Sequence, residues 1–298
     1  MVSAMGNKIN RRLDWFDYLN TALMAVFTLI FVIPFMHLIF SSVSDPVYLS
    51  RTTGLILWPH GFTLKGYVLS FSNRSIISGY LNTFFYLGLG TLLNMLCTML
   101  AAYTFSRRKL MFGNALMFML VFTMYFSGGL IPFYLQVRNV GLYNNRMVMI
   151  LPELVNILNI IIMRTAFAGI DENLYESAKI DGAGHFTILF KIIAPVSKAT
   201  IAVIALFYAV HHWNAWFNAS IFLQDRSKYP LQLIMREILI LNQDNAKSES
   251  LIEAAAMDKY RPLVKYAVII ISTAPILVAY PFIQKYFTKG VMIGSIKG

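Results

Sequence analysis

The residues of this sequence best suited to bind a ligand recur along one apolar segment. Phe207, His211, Asn214 and Asn218 follow one another at i, i+4, i+7 and i+11, a spacing that places them on one face of an α-helix. Amides and imidazoles bond hydroxyl groups, and an aromatic face covers the C–H side of a pyranose ring. Because polar side chains are costly against lipid, we expect this face to line a water-filled path suited to such ligands, with Asp225 on its outward extension.

A second interpretation of these residues stays open. The same side chains could only bond a neighbouring helix, an interaction worth about 1 kcal/mol each. Trp213, Trp216 and Phe217 point away from this face, which favours contacts with lipid or a partner protein. Asn156 and Asn159, in the preceding apolar segment, are weaker candidates for the same path.

Several catalytic and metal-binding motifs are absent from the sequence. It contains no GxxxxGK[ST] loop for nucleotide phosphates, no HExxH, no CxxC and no nucleophile elbow. His211 and His212 are adjacent, so their side chains point about 100° apart on a helix and make a poor metal pair. We therefore expect no catalytic site, metal or cofactor in this chain, and any ATP hydrolysis coupled to it would come from another subunit.

The composition indicates a membrane protein. Hydrophobic residues make up 57% of the chain and charged residues 13%, with a mean hydropathy of +0.61, whereas soluble domains carry about 25% charged residues. The formal net charge of +11 is spread over connecting loops rather than massed on one helix. Such a distribution is typical of the positive-inside bias and argues against nucleic-acid binding. The single Cys97 excludes an intrachain disulfide.

Apolar runs predict six membrane spans. Their expected bounds are residues 18–40, 80–105, 112–133, 147–167, 199–223 and 263–287. The basic cluster Arg107-Arg108-Lys109 places the turn after the second span in the cytoplasm. The alternation of spans then puts three segments inside, namely both tails (1–17 and 288–298) and the loop 168–198. The expected fold is an all-α integral membrane protein with six transmembrane helices.

Two predicted external loops separate these spans. Residues 41–77 contain several turn signals and are expected to form one short helix. Residues 224–262 include Leu231 to Leu241, which is apolar on one face and is expected to pack on the outer membrane surface or on a partner.

The longest polar stretch on the predicted cytoplasmic side covers residues 172–198. Asp171 can cap a short helix, Leu174 and Ala178 lie one turn apart on its apolar edge, and Gly182 ends it. A second amphipathic segment then runs to Pro195, which cannot continue the hydrogen-bonding pattern. A short exposed helix with a glycine hinge can sit in a groove of another protein, although an ordinary solvated loop remains an alternative.

The same stretch carries a family signature. Glu176-Ser177-Ala178, then Asp181-Gly182-Ala183, then Pro195 resemble the cytoplasmic EAA signature of permease subunits in ATP-binding-cassette (ABC) importers. Within that group the sequence is similar to the carbohydrate-uptake subfamily, whose best-known member is the maltose importer. Ser177 stands where alanine is usual, and Ala194 stands where leucine is usual. The resemblance extends from about Asn82 to the C-terminus.

The resemblance implies a type I ABC importer permease fold in the bacterial cytoplasmic membrane. The implied partners are a second homologous permease, an ABC ATPase dimer that binds ATP and Mg, an extracytoplasmic sugar-binding protein and the lipid bilayer. Alternating access would move the sugar between the two permeases, and the sequence looks most like members that serve oligosaccharides from plant or algal polysaccharides. The residues implied to couple this chain to the ATPase are Leu174, Glu176, Ser177, Ala178, Asp181, Gly182, Ala183 and Pro195.

Other classes of membrane protein stay open as alternatives: a self-contained secondary transporter, a permease for a non-sugar solute, or a polytopic membrane enzyme. A secondary transporter is expected to show internal repeats and intramembrane acids. This sequence shows no repeat, and Glu153 is the main carboxylate within the predicted spans. An enzyme would need a convergent set of titratable groups, which the sequence does not offer.

Overall fold

The computed structural model describes residues 14–107, 110–241 and 259–295, and every regular element in these ranges is helical. This confirms the all-α fold class. The predictions for the basic N-terminal tail, for Arg108 and Lys109, and for residues 242–258 lie outside the described residues.

Thirteen helices are used below to locate the functional residues within these ranges. They are α1 (Trp15–Ser42), α2 (Pro46–Arg51), α3 (Lys65–Ser72), α4 (Arg74–Ser106), α5 (Gly113–Tyr125), α6 (Leu130–Asn139), α7 (Ile157–Ala168), α8 (Glu172–Ile180), α9 (His185–Val196), α10 (Lys198–Asn214), α11 (Phe217–Phe222), α12 (Leu231–Arg236) and α13 (Arg261–Ser295). Short 3-10 turns at Arg146–Met149 and Leu151–Glu153 precede α7, and one at Arg226–Lys228 precedes α12.

Six spans are consistent with the lengths and apolarity of these helices. Among the described residues, α1, α4 and the Arg261–Pro281 part of α13 are each long and apolar enough to cross a membrane. Three further pairs qualify when each is counted as one bent span: α5 with α6 at 112°, Arg146–Glu153 with α7 at 51°, and α9 with α10 at 92°. The described helices therefore allow up to six spans, three of them broken, although α9 lies in the predicted cytoplasmic loop 168–198.

The breaks occur where the predicted spans contain turn-forming residues. The third predicted span is interrupted at residues 126–129, which include Gly128 and Gly129, and the chain turns sharply there. The fourth begins as 3-10 turns around Pro152, and α7 starts only after Asn156, whose side chain accepts from the backbone N–H of Asn159 at 3.1 Å. An apolar run hides such breaks, because hydropathy does not depend on backbone direction.

Helix α4 supplies polar groups to the break before α7 and to the segment before α12. The Asn94 amide donates to the carbonyls of Glu153 and Leu154 at 2.7 and 2.8 Å, in the break before α7. The Asn82 amide donates to the carbonyls of Ser227 and Tyr229 at 2.7 and 3.0 Å. A broken helix leaves backbone groups without helical partners, and in an apolar medium side chains of neighbouring helices must satisfy them.

Two predictions about the external loops differ from the structure. Residues 41–77 form two short helices, α2 and α3, rather than one, and the second span starts at Arg74 because Asn73 caps it by accepting from Ser75 N at 2.9 Å. The apolar face of α12, expected to pack on the membrane surface or on a partner, is buried within this chain. Leu231 and Ile234 are fully buried, and Leu231 N donates to Thr83 Oγ1 of α4 at 2.9 Å.

Helix α13 continues to Ser295, past the predicted end of the sixth span at residue 287. The predicted tail at residues 288–298 is therefore helical up to Ser295.

The described residues divide into two compact units. The first covers residues 14–70 and 259–270, and its core is formed by Leu49, Ile56 and Leu263. The second covers residues 71–107, 110–241 and 271–295 and carries every candidate functional residue named above.

Candidate functional site

The helix α8 begins and ends as the sequence predicts. The Asp171 carboxylate accepts from Asn173 N at 3.0 Å, which caps the first turn. At the other end Gly182 has φ +78°, a left-handed conformation that side chains with a Cβ rarely adopt, and Ala183 N donates to the carbonyl of Ala178 at 2.9 Å. The turn after α8 therefore depends on the glycine.

The predicted coupling residues fall into an exposed set and a buried one. Leu174 is 47% exposed, and Glu176, Ser177, Asp181, Gly182 and Pro195 are also exposed, while Ala183 is half-buried. Ala178 is only 7% exposed and packs in the core with Tyr103 and Leu189. The apolar edge predicted for α8 is thus divided: Leu174 is available to another protein, and Ala178 holds α8 against its own chain.

A stack of aromatic and cationic side chains joins α8 to the end of α4. The Arg107 guanidinium lies 5.1 Å from the ring centroid of Tyr103 and 4.7 Å from that of Tyr175 on α8. The Tyr103 hydroxyl is bonded to His185 Nδ1 at 3.0 Å, which adds the start of α9. These residues line a cavity of about 760 Å³ beside α8. Arg107 thus orients α8 relative to the second span.

A second group of polar side chains surrounds the carboxylate of Glu153. Asn218 Nδ2 donates to Glu153 Oε1 at 2.9 Å, and His211 Nε2 forms an ion-paired hydrogen bond with Oε2. The His211 side chain is 51% exposed and that of Glu153 37%. We call Glu153, His211 and Asn218 the carboxylate cluster.

Buried groups hold this cluster in place. Asn94, whose amide donates to the carbonyl of Glu153, accepts with its Oδ1 from the buried His212 Nε2 at 2.7 Å. His212 has room only because Gly90 carries no side chain: a Cβ there would lie 2.4 Å from His212 Nε2. His212 is thus buried against α4, whereas His211 reaches the exposed cluster.

The predicted helical stripe is only partly formed. Helix α10 ends at Asn214, so Asn218 lies on α11 beyond a break and reaches the cluster from a different helix. Asn214 is exposed, and its amide donates to the carbonyl of Val210 in its own helix at 2.9 Å. Phe207 is 40% exposed one turn before His211.

Asp225 does not extend the stripe. Its carboxylate accepts from Ser227 N at 3.0 Å and lies 3.6 Å from Lys228 Nζ. Hydrogen bonds from Ser227 and the charge of Lys228 lower the pKa of Asp225. Asn156, one of the weaker candidates, is exposed and caps α7 by accepting from the backbone N–H of Asn159, the other candidate, which is buried.

The expected lipid or partner contact of Trp213 is wrong. This residue is 3% exposed, and its indole N–H donates to the carbonyl of Ser272 at 3.2 Å. Trp216 is half-buried under the guanidinium of Arg236, 3.9 Å from the ring centroid, while Phe217 is 48% exposed.

Sequence reasoning did not place Glu153 beside His211 and Asn218, which are 58 and 65 residues away. The available signal was the isolation of one carboxylate within apolar spans, since such a group needs a partner. Within the described ranges no three His, Cys, Asp or Glu residues come together as a metal site would require.

The chain was compared with known protein families and structures. The family model described as the inner membrane component of binding-protein-dependent transport systems matches residues 94–293. The polygalacturonan/rhamnogalacturonan transport system permease protein YtcP of Bacillus subtilis (strain 168) is 40% identical over 286 residues, covering 95% of this chain and 98% of that protein. The melibiose/raffinose/stachyose import permease protein MelC of the same organism is 26% identical, covering 85% and 91%.

A solved structure shares the fold. The crystal structure of a bacterial ABC transporter involved in the import of the acidic polysaccharide alginate contains a chain that superimposes with a TM-score of 0.85 at 29% identity, covering 91% of this chain and 96% of that one.

Proposed function

We propose a function for this chain from one premise: it belongs to the family of inner membrane components of binding-protein-dependent transport systems. The chain is the permease subunit of an ATP-driven importer that carries a sugar or oligosaccharide across the cytoplasmic membrane. It contributes no catalytic or nucleotide-binding site, and partner subunits bind ATP and Mg.

The observation that carries this proposal is the geometry of α8. A short capped helix presents Leu174 to the outside while Ala178, Tyr175 and the Arg107 stack hold its other face against α4 and α9. An exposed apolar side chain on a rigidly held helix suits insertion into a cleft of another protein. We assign that cleft to an ABC ATPase, so that closure of the ATPase dimer pulls on α8.

The assembly needs further partners. A second, homologous permease would complete the path, and alternating access would move the sugar through the interface of the two chains. An extracytoplasmic sugar-binding protein would deliver the sugar on the side opposite α8. This orientation places both termini in the cytoplasm.

The sugar path is assigned to the face of α10 and α11 that carries Phe207, His211, Asn214 and Asn218. Exposed polar groups within spans suit a water-filled path better than lipid. The names of the relatives support carbohydrate as the substrate class, since YtcP and MelC are both named for sugar transport.

Purification of the chain together with its partner subunits tests the proposal. The complex, reconstituted with a binding protein into proteoliposomes, is assayed for ATP hydrolysis and uptake with oligosaccharides of galacturonan, rhamnogalacturonan, raffinose and arabinan type. ATP-dependent uptake of at least one of them is expected. Copurification of no ATPase, or uptake driven by an ion gradient without ATP, would contradict the proposed function.

A further inference from the structure

The carboxylate cluster joins three segments at one point. Glu153 ends the 3-10 turn before α7, His211 lies in the last turn of α10, and Asn218 lies in α11 beyond the break. Two donors, one on each side of that break, therefore fix both oxygens of one carboxylate. The Asn94 side-chain amide donates to the backbone carbonyl of Glu153 at 2.7 Å. The carboxylate is consequently preorganised, and it is positioned by buried groups that do not reach the surface.

The exposed side of the cluster cannot face lipid at low cost. A carboxylate and an imidazole with side chains 37% and 51% exposed would each lose solvation in hydrocarbon. Their exposure therefore points to a water-filled path or to a ligand. Asn214 and the ring of Phe207, both exposed on the same stretch of α10, extend this polar and aromatic surface.

The remaining hydrogen-bonding capacity of Glu153 defines what can bind. An ionised carboxylate offers about four lone-pair positions, and the two donors occupy one on each oxygen. The others can accept only from donors, such as the hydroxyl groups of a sugar. An ionised sugar carboxylate has no donor, and the like charge of Glu153 would repel it.

We infer that the carboxylate cluster is a hydroxyl-binding site in the sugar path, with Glu153 as the acceptor and with selection against a sugar carboxylate at this point. The inference rests on the proposed function and names the part of the substrate that this site recognises. Glu153 touches the sugar, while Asn94 is a positioning residue that acts through Glu153.

The test compares two sugars that differ only in whether they carry carboxylate groups. Trigalacturonate and its carboxyl-reduced derivative, an α-1,4-linked galactotriose, are offered separately to the reconstituted complex with its binding protein. Each variant's uptake rate per assembled complex is divided by the wild-type rate for the same sugar. The preference of the binding protein cancels in this ratio, and lower assembly does not affect it.

Glu153→Gln keeps the size of the side chain and removes its charge. The relative uptake of galactotriose is expected to fall roughly tenfold further than that of trigalacturonate, since the neutral amide replaces a charge-assisted hydrogen bond with a weaker one. Ser220→Ala is the matched control, because Ser220 lies in α11 and its hydroxyl donates to the Phe217 carbonyl at 2.7 Å; both sugars should retain wild-type rates.

An equal fall for both sugars would mean that Glu153 only links the broken spans, and unchanged rates would mean that it has no role; either result overturns the inference. Asn218→Ala provides a second comparison: because it keeps the charge of Glu153, the relative uptake of both sugars should fall to the same extent. Failure of the proposed function would instead appear as absence of ATP-dependent sugar uptake by the wild-type complex.

Discussion

The side-chain amide of Asn218 donates a 2.9 Å hydrogen bond to Glu153 Oε1 across 65 residues of sequence. Each partner lies at a break, Glu153 before α7 and Asn218 after the end of α10. Broken helices expose backbone polar groups in the membrane, so they are tolerated where they line a cavity or are satisfied by protein. The breaks bring polar side chains together. They also make these spans depend on hydrogen bonds from side chains of α4.

Asn94→Ala is expected to destabilise the protein. The substitution removes both hydrogen bonds to the carbonyls of Glu153 and Leu154 and leaves the buried His212 without its acceptor. Leaving buried polar groups unpaired costs roughly 1–3 kcal/mol. Thermal unfolding of the purified complex should show a lower melting temperature for this variant.

Asn139→Ala is the matched control, since Asn139 is exposed at the end of α6. It should melt like the wild type. Equal melting temperatures for the two alanine variants would show that the Asn94 network contributes nothing to stability.

The sequence predicted the helical class, the six spans and the bounds of α8 because each depends on local signals: apolar length, the Asp171 cap and the Gly182 turn. It could not predict the carboxylate cluster, because a stripe drawn on one ideal helix cannot anticipate the break between Asn214 and Phe217. The burial of Trp213 and Leu231 was missed for a related reason. An apolar face looks the same in sequence whether lipid or α4 covers it.

Gly182→Ala is expected to weaken the connection between α8 and α9. Apart from Gly182 and its two chain neighbours, no atom of the described residues lies within 4 Å of an added Cβ, so the cost comes from φ +78°. That conformation costs a residue with a Cβ about 1–2 kcal/mol. Sugar-stimulated ATP hydrolysis should fall while insertion of the chain stays normal.

Gly184→Ala offers a direct comparison two residues later. Its surroundings are equally open, but its φ of −72° suits any residue. Wild-type hydrolysis is expected for this variant. If both variants behaved alike, the left-handed turn at Gly182 would have no part in coupling.

The proposed orientation predicts which positions a membrane-impermeant thiol reagent can reach. In a background with Cys97→Ser, cysteines introduced at the exposed Lys191 and Lys198 should react only after the membrane is opened, and one at the exposed Gln224 should react in intact cells or spheroplasts. Labelling at Lys191→Cys from outside would reverse the proposed orientation of the spans.

Leu174→Asp tests the docking of α8 most directly. Leu174 is 47% exposed, so the substitution leaves the fold of this chain unstrained and places a charge where an apolar contact with the ATPase is proposed. Buried anchors of interfaces contribute about 2 kcal/mol or more, which corresponds to at least roughly tenfold weaker binding. The amount of ATPase that copurifies with the chain should fall accordingly. Leu64→Asp controls for the introduced charge, because Leu64 is 51% exposed in the predicted external loop; full ATPase recovery with both variants would exclude Leu174 from the docking surface.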